Sequence, residues 1–341
     1  MKKSLVFFAL AACLSFFDFK TAKACLDDDE ASVASESAKT EKNPESKAIK
    51  EPKKTKPAKV AVTLPPQPIP VIVVAGFNNP ESVARDLAGD HYFVSNLGVK
   101  LDPSGKDGDG YISKLGKDGK ILVKRFLPLV GKLNAPKGMA VIGHTLYVTD
   151  IDRIVGFDLK TRRTVFETSL AATKTKFLND LAVVDSHTLL VSATDLGKLY
   201  KVALKHKDTF TQYAVLPGAN GLYKDGSKWQ AVSFGTGMKL NGGAGVITGS
   251  KAAHYTAYKS VSGGLDGVFR NGTKIYMTDW VAFGKPGVIH VYDLKRKTAS
   301  ILRTGWPVMG PADFLFDRET DKVWLPAMLE GKIYIFALGG T

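Results

Sequence analysis

From Val71 onward the apolar positions fall in short alternating runs bounded by turn formers, the pattern of half-buried β-strands. Gly263-Gly264-Leu265-Asp266-Gly267-Val268 shows the unit. A polar residue and a glycine lead into an apolar strand, Asn271-Gly272 closes it, and Lys274-Ile275-Tyr276-Met277-Thr278 returns as a second strand. Tyr92-Phe93-Val94-Ser95, Thr145-Leu146-Tyr147-Val148-Thr149, Thr188-Leu189-Leu190-Val191-Ser192 and Lys322-Val323-Trp324-Leu325 repeat that second strand. Third strands such as Gly197-Lys198-Leu199-Tyr200-Lys201-Val202 and Gly331-Lys332-Ile333-Tyr334-Ile335-Phe336 follow. Helical periodicity is absent from this part of the chain, and the 33 glycines suit a turn-rich all-β protein.

The polar step that opens each first strand gives an alignment: Pro80-Glu81-Ser82-Val83, Pro136-Lys137-Gly138-Met139, Leu178-Asn179-Asp180-Leu181, Ala219-Asn220-Gly221-Leu222, Leu265-Asp266-Gly267-Val268 and Pro311-Ala312-Asp313-Phe314. The aligned positions 81, 137, 179, 220, 266 and 312 are separated by 56, 42, 41, 46 and 46 residues. A period in the forties with three or four strands per unit predicts a β-propeller, and the six units make it six-bladed, over 71–341. An insertion at 101–110 accounts for the long first gap. The chain ends soon after the sixth unit, so Val71-Ile72-Val73-Val74 is expected to supply that blade's outer strand and close the ring.

The residues before the propeller change the picture of where it works. Lys2 and Lys3 precede an apolar run through Phe17 that is short for a bilayer span, which reads as an export signal over 1–24. Two cleavage readings compete. Ala22-Lys23-Ala24 would leave Cys25 first, whereas Leu10-Ala11-Ala12-Cys13 resembles a lipobox that would lipidate Cys13. Either way the protein is expected outside the cytoplasm, in the periplasm or envelope, touching a membrane only through that N-terminal lipid. Residues 25–70 form a Ser-, Glu-, Lys- and Pro-rich tether too poor in apolar side chains to fold. Cys13 lies in the leader and Cys25 at the start of the tether, which excludes disulfides, thiolate nucleophiles and Cys-ligated metals from the folded part. The net charge of +14 comes without a basic–aromatic motif or recognition helix, so it reads as a soluble lysine-rich surface and no nucleic-acid partner is expected.

The innermost strand of a propeller blade faces the central channel, so the aligned residues should converge at one mouth. They are Glu81, Lys137, Asn179, Asn220, Asp266 and Ala312, and four of the six carry oxygen donors. Any one of them alone is an ordinary turn residue. Four in register form an oxygen cage suited to a hard divalent ion, and Glu81 facing Asp266 would repel without a cation.

With those steps in view, residues 76–338 resemble the gluconolactonase–regucalcin family of six-bladed propellers, which includes the luciferin-regenerating enzymes. Glu81-Ser82-Val83, Phe177-Leu178-Asn179-Asp180, Ala219-Asn220-Gly221-Leu222 and Leu265-Asp266-Gly267-Val268 carry the resemblance. It departs at the third unit, where Leu-Asn-Asp-Leu stands in place of Asn-Asp-Gly. The resemblance implies one divalent ion held by Glu81, Asn179, Asn220 and Asp266, with Ca²⁺ the first choice and Zn²⁺, Mn²⁺ or Mg²⁺ the alternatives. It also implies Asp266 as general base in a monomeric hydrolase of a small lactone or ester, sugar-derived substrates included. A non-catalytic binding or scaffold propeller with a structural ion is the competing expectation.

Other candidates are graded against plainer roles. Lys137 could stabilise an oxyanion. Asp150, Asp152, Asp195, Asp279 and Trp280 end second strands, and Asp150, Asp279 and Trp280 are the choices for a substrate pocket. Asp313, one step out of register, reads as a turn cap. Lys106-Asp107-Gly108-Asp109-Gly110 looks like half an EF-hand loop but lacks the first ligand and the closing Glu, so it reads as a turn. The glycine runs near 235–245 lack a nucleotide-loop context, the six histidines have no ligand spacing, and no Gly-x-Ser-x-Gly occurs.

Overall fold

A computed structural model of the chain describes residues 69–250 and 253–338. The export segment, both cysteines and nearly all of the tether lie outside the described residues. Strand β1 (Val71–Ala75) is followed by blade one, β2 (Pro80–Asp86), β3 (His91–Asn96), β4 (Tyr111–Gly116) and β5 (Ile121–Leu127). Blade two is β6 (Pro136–Ile142) to β9 (Thr164–Ser169), with β7 (Thr145–Asp150) and β8 (Arg153–Asp158) between. Blade three runs from β10 (Leu178–Asp185) through β11 (Thr188–Ala193) and β12 (Lys198–Ala203) to β13 (Phe210–Val215). Blade four comprises β14 (Ala219–Asp225), β15 (Lys228–Ser233), β16 (Gly242–Thr248) and β17 (His254–Gly263). Blade five has β18 (Leu265–Asn271), β19 (Lys274–Asp279), β20 (Pro286–Asp293) and β21 (Thr298–Ile301), with the short β22 (Val308–Met309) also on β20. Blade six is β23 (Leu315–Asp317), β24 (Lys322–Ala327) and β25 (Lys332–Ala337), and β1 completes it, Val71 opposite Phe336 and Ala75 opposite Lys332. The protein is a six-bladed β-propeller closed by its own first strand, as the sequence predicts.

One irregularity recurs in every blade. Pro80 pairs with Asn96 but Val83 pairs with Val94, so Glu81 and Ser82 together oppose Ser95. The same one-residue slip sets Lys137-Gly138 against Thr149, Asn179-Asp180 against Ser192, Asn220-Gly221 against Val232, and Asp266-Gly267 against Thr278. In blade six Pro311 bridges Ala327 while Leu315 pairs with Trp324, which is the same offset. Each is a β-bulge, which adds a residue, bends the strand and re-aims its side chains. The polar step of the sequence is this bulge.

A bulge frees a backbone N–H, and hydroxyls on the second strand take it up. Ser95 accepts from Ser82 N–H (2.9 Å), Ser192 from Asp180 N–H (2.9 Å) and Thr278 from Gly267 N–H (2.7 Å). Each such bond stabilises by about 1 kcal/mol. The bulges also bond blade to blade. Thr149 donates to the Asn179 carbonyl, Thr194 to that of Ala219 (2.7 Å) and Thr278 to that of Ala312 (3.1 Å). Ser82 Oγ closes the circle onto Asp313 Oδ2 at 2.8 Å.

Two glycines show how tightly the bulges abut. A Cβ on Gly221 would lie 2.2 Å from the Asp266 carbonyl oxygen, and one on Gly267 would lie 2.8 Å from Phe314 N. Farther out, apolar clusters fill the space between neighbouring blades, such as Phe93, Phe126, Leu146 and Phe157 between blades one and two. At the opposite end of the first strands, Arg85 pairs with Asp317 and Glu319 of blade six, and Arg270 with Asp225 of blade four (2.6 Å).

Gly221→Ala is therefore expected to lower stability by about 1–3 kcal/mol or more, because backbone rather than a flexible side chain must yield. A denaturant midpoint no lower than wild type would contradict this packing.

Candidate functional site

The bulges bring Glu81, Lys137, Asn179, Asn220 and Asp266 to one height, each 1–5% exposed. One side-chain oxygen on each of Glu81 (Oε2), Asn179 (Oδ1), Asn220 (Oδ1) and Asp266 (Oδ1) is fully buried and has no hydrogen-bond donor. Among the described residues the other buried side-chain atoms without partners, Arg85 Nε and Trp324 Nε1, are donors outside the bulges. Leaving a buried polar atom unsatisfied costs about 1–3 kcal/mol. Four such acceptors in register call for a shared positive partner.

The remaining atoms of these side chains are fixed. Trp280 Nε1 donates to Asp266 Oδ2 at 2.8 Å, which leaves Oδ1 as the free oxygen. Asn220 Nδ2 reaches the Leu265 carbonyl at 3.4 Å. Lys137 Nζ donates to the carbonyls of Pro103 (2.6 Å) and Ala135 (3.0 Å) and sits 4.7 Å from the Phe177 ring centroid.

Two carboxylates that sequence reasoning left out of the site, Asp180 unremarked and Asp313 read as a turn cap, complete the charge cluster. Asp180 is the second bulge residue of blade three, where other blades have Ser82, Gly138, Gly221 and Gly267. Its oxygens accept from Leu181 N–H and, across the blade boundary, Leu222 N–H, both at 2.6 Å. Asp313 occupies the matching position of blade six and receives Ser82, so it joins blades rather than capping a turn. The blades lie opposite each other in the ring. The signal was present in Asn179-Asp180 and Ala312-Asp313, but only the strand register shows that both bulge positions count.

Burial, and then the charge of Asp313, push Asp266 up to about 7, while hydrogen bonding from Trp280 and the Asn220 amide pulls the other way. Burial also pushes Asp313 up to about 6. Glu81 is raised well above its ordinary value by burial first and then by Asp266 and Asp313, with Lys137 opposing. Asp180 is raised by burial and by Asp313. Without a cation, these groups favour retaining protons.

An apolar layer covers this ring. The residue after each second strand is Leu97, Ile151, Thr194, Phe234, Trp280 or Met328. All but Thr194 belong to one buried cluster, together with Ala135 and Ala312. The cluster runs through five consecutive blades, and its members and the ring residues beside it are all nearly excluded from solvent, so it serves as a roof. Leu101 of the blade-one insertion and Met238, Leu240 and Phe283 pack against it.

The expected pocket residues are placed differently from one another. Trp280 is in the roof and touches Asp266. Asp150 accepts from Asn134 N–H (2.9 Å), Ala135 N–H (3.0 Å) and Arg153 (2.8 Å). Asp279 accepts from Gly264 N–H (2.9 Å) and Val281 N–H (2.8 Å) and meets His290 Nε2 at 2.9 Å. Both carboxylates hold loop backbone. The half-EF-hand segment is a turn between β3 and β4, its Asp109 taken by Val99 N–H (2.7 Å) and Arg125 (2.7 Å). Among the described residues no cluster of three or more His, Cys, Asp or Glu forms a metal site, because the ring mixes two carboxylates with two amides.

No family model matches the chain, and no curated protein matches it. Solved structures do. Virginiamycin B lyase from Staphylococcus aureus aligns over 79% of this chain and 99% of its own, with 12% identity and a TM-score of 0.52. A streptogramin B lyase structure aligns over 78% and 97%, with 13% identity and a TM-score of 0.51. The β-propeller domain of Myceliophteria thermophila Cps50 (Swd1) aligns over 80% and 99%, with 9% identity and a TM-score of 0.53. At these identities the likeness concerns the propeller fold alone.

The raised carboxyl groups set a pH dependence. In the unfolded chain an Asp loses its proton near 3.8, whereas folded Asp266 keeps it to about 7. Its contribution to stability is therefore fully present below about 4 and lost as pH rises through about 7. In chelator, Asp266→Asn is expected to gain in Tm relative to wild type between pH 5 and 8. An equal Tm difference at both pH values would remove Asp266 from this balance.

Proposed function

We propose that the bulge ring holds one divalent cation, Ca²⁺ by first choice, and that the protein is an exported, monomeric, metal-dependent hydrolase of lactones or similar esters. The observation that carries this reading is the coincidence of four donorless buried oxygens, on Glu81, Asn179, Asn220 and Asp266, in equivalent bulges. Two carboxylates and two amides form an all-oxygen donor set that suits a hard cation, with Zn²⁺, Mn²⁺ and Mg²⁺ as alternatives. The same residues carry the resemblance to the gluconolactonase–regucalcin family. The export pattern at Lys2 to Ala24 supports a periplasmic or envelope location.

When bound, such an ion supplies Lewis acidity toward a substrate carbonyl and makes water a better nucleophile at neutral pH. The chain supplies the rest. Trp280 occupies Oδ2 of Asp266 and leaves Oδ1 without a donor, so the carboxylate is held with one oxygen free to act as a general base. Lys137, steadied by two carbonyls, places an ammonium at the height of the developing oxyanion. The roof of Phe234, Trp280 and Met328 excludes bulk water, which strengthens each electrostatic contact beneath it.

The roof also favours a second reading, in which the ion pins the blades and performs no chemistry. Calorimetric titration with Ca²⁺, Mn²⁺ and Zn²⁺, followed by a lactone and ester screen of the loaded protein, separates the two. Saturable one-site binding, weakened at least about tenfold by Asn179→Ala or Asn220→Ala, is expected. Metal-dependent turnover that Asp266→Asn abolishes supports the hydrolase. Binding with a higher Tm but no turnover supports the pin, and no binding by any of the ions overturns both.

A further inference from the structure

What lies over Asp266 has a chemical character of its own. Phe234, Trp280 and Phe283 form an aromatic trio, with centroids 6.0 Å apart for Phe234–Trp280 and 5.7 Å for Trp280–Phe283. Leu240 rests on Gly264, where a Cβ would lie 2.3 Å from Leu240 Cδ2, two residues before Asp266. The surface that confronts anything approaching the Asp266 side of the ring is carbon.

The polar groups at the rim are already engaged. Asp150 and Asp279 hold backbone N–H groups, Arg153 and His290. Asp152 is paired with Lys106 at 2.6 Å, and Asp195 accepts from Thr175 and Lys176 N–H, both at 2.7 Å. A polyhydroxylated ring against these carbon faces would lose water from its hydroxyls, because the rim carboxylates are engaged and the ring oxygens beneath are taken by the proposed cation.

The part of the roof suited to move is the segment between β15 and β16. Gly235, Gly237, Met238 and Leu240 all have positive φ, at 108°, 62°, 61° and 54°. For Met238 and Leu240 that is a disfavoured backbone, so the segment gives up little by rearranging. Its Lys239 N–H to Thr236 carbonyl bond is long, at 3.4 Å.

We propose, resting on the hydrolase reading, that the substrate is an apolar lactone or ester. Its hydrocarbon part displaces Leu240 and seats against Phe234, Trp280 and Phe283, with its carbonyl toward the bulge ring. One apolar group replaces another, so no polar group is stranded. Sugar-derived lactones are poor substrates.

The test compares dihydrocoumarin with D-glucono-δ-lactone on the full chain loaded with Ca²⁺, following turnover, and on the metal-free chain, following ligand-dependent Tm and tryptophan fluorescence. Dihydrocoumarin is expected to exceed gluconolactone by about tenfold or more in kcat/KM and to bind with an emission change. Phe283→Ser, which removes one face of the seat, is expected to weaken that binding about tenfold, whereas Leu240→Asn, at ease with positive φ, no longer competes for the seat and should not weaken it. Leu240→Met should retain it. Gluconolactone favoured or equal in turnover overturns the inference and leaves the hydrolase reading standing. Dihydrocoumarin binding that is selective and Phe283-dependent, with no turnover of either compound, supports the apolar seat and removes the hydrolase. Failure of dihydrocoumarin to bind either form overturns the inference.

Discussion

The bulge at the start of each first strand is the constraint on which the molecule depends. A regular antiparallel pair would alternate its side chains and match every N–H. The extra residue breaks that match at one height in six blades, and Ser95, Ser192 and Thr278 accept the freed N–H groups. The same arrangement directs Glu81, Asn179, Asn220 and Asp266 toward a shared donor-poor space. Fold closure and site are therefore set by one local device. Thr278 shows this within a single residue, accepting from Gly267 of its own blade and donating to Ala312 of the next.

Close packing of the bulges explains which positions can bear chemistry. Where the second bulge residue must pass the neighbouring backbone, as at Gly221 and Gly267, a side chain has no room. Asp180 and Asp313 keep theirs because each is used to bind the next blade, through Leu222 N–H and Ser82 Oγ. Charge enters the channel here as part of the scaffold as well as part of the site. That dual use separates these two aspartates from Asp266, whose Oδ1 has no structural bond.

The fold and the ring were legible in the sequence because both repeat. The polar step recurs six times, and Val71-Ile72-Val73-Val74 fills a strand that the last unit lacks. Asp313 was misjudged because its neighbour Ala312 occupies the aligned position, and a one-letter register gives no sign that two residues share a bulge. Of the roof, only Trp280 was legible. Leu97, Ile151, Phe234 and Met328 are each an ordinary apolar residue after a strand, and only closing the ring brings them into one cluster. Asp150 and Asp279 looked like pocket residues for the opposite reason. Their acidity is visible in sequence, whereas the backbone N–H groups that occupy them are not.

Closure and charge then constrain each other. Excluding water lowers the local dielectric, which makes the mutual repulsion of Glu81, Asp180, Asp266 and Asp313 harsher and raises their proton affinity. Lys137 is the cation acting on Glu81 within this group, and its ammonium is shared with two carbonyls. An open mouth would let water screen the cluster, and the case for an ion would weaken. A sealed one leaves two ways to neutralise the ring, protons or a metal. Asp180 and Asp313 have bonds from other blades to support their charge; the oxygens on Glu81 and Asp266 that lack donors do not. On the metal-binding proposal, those two carboxylates, set in register with the amides of Asn179 and Asn220, are where a divalent charge would relieve the greatest strain.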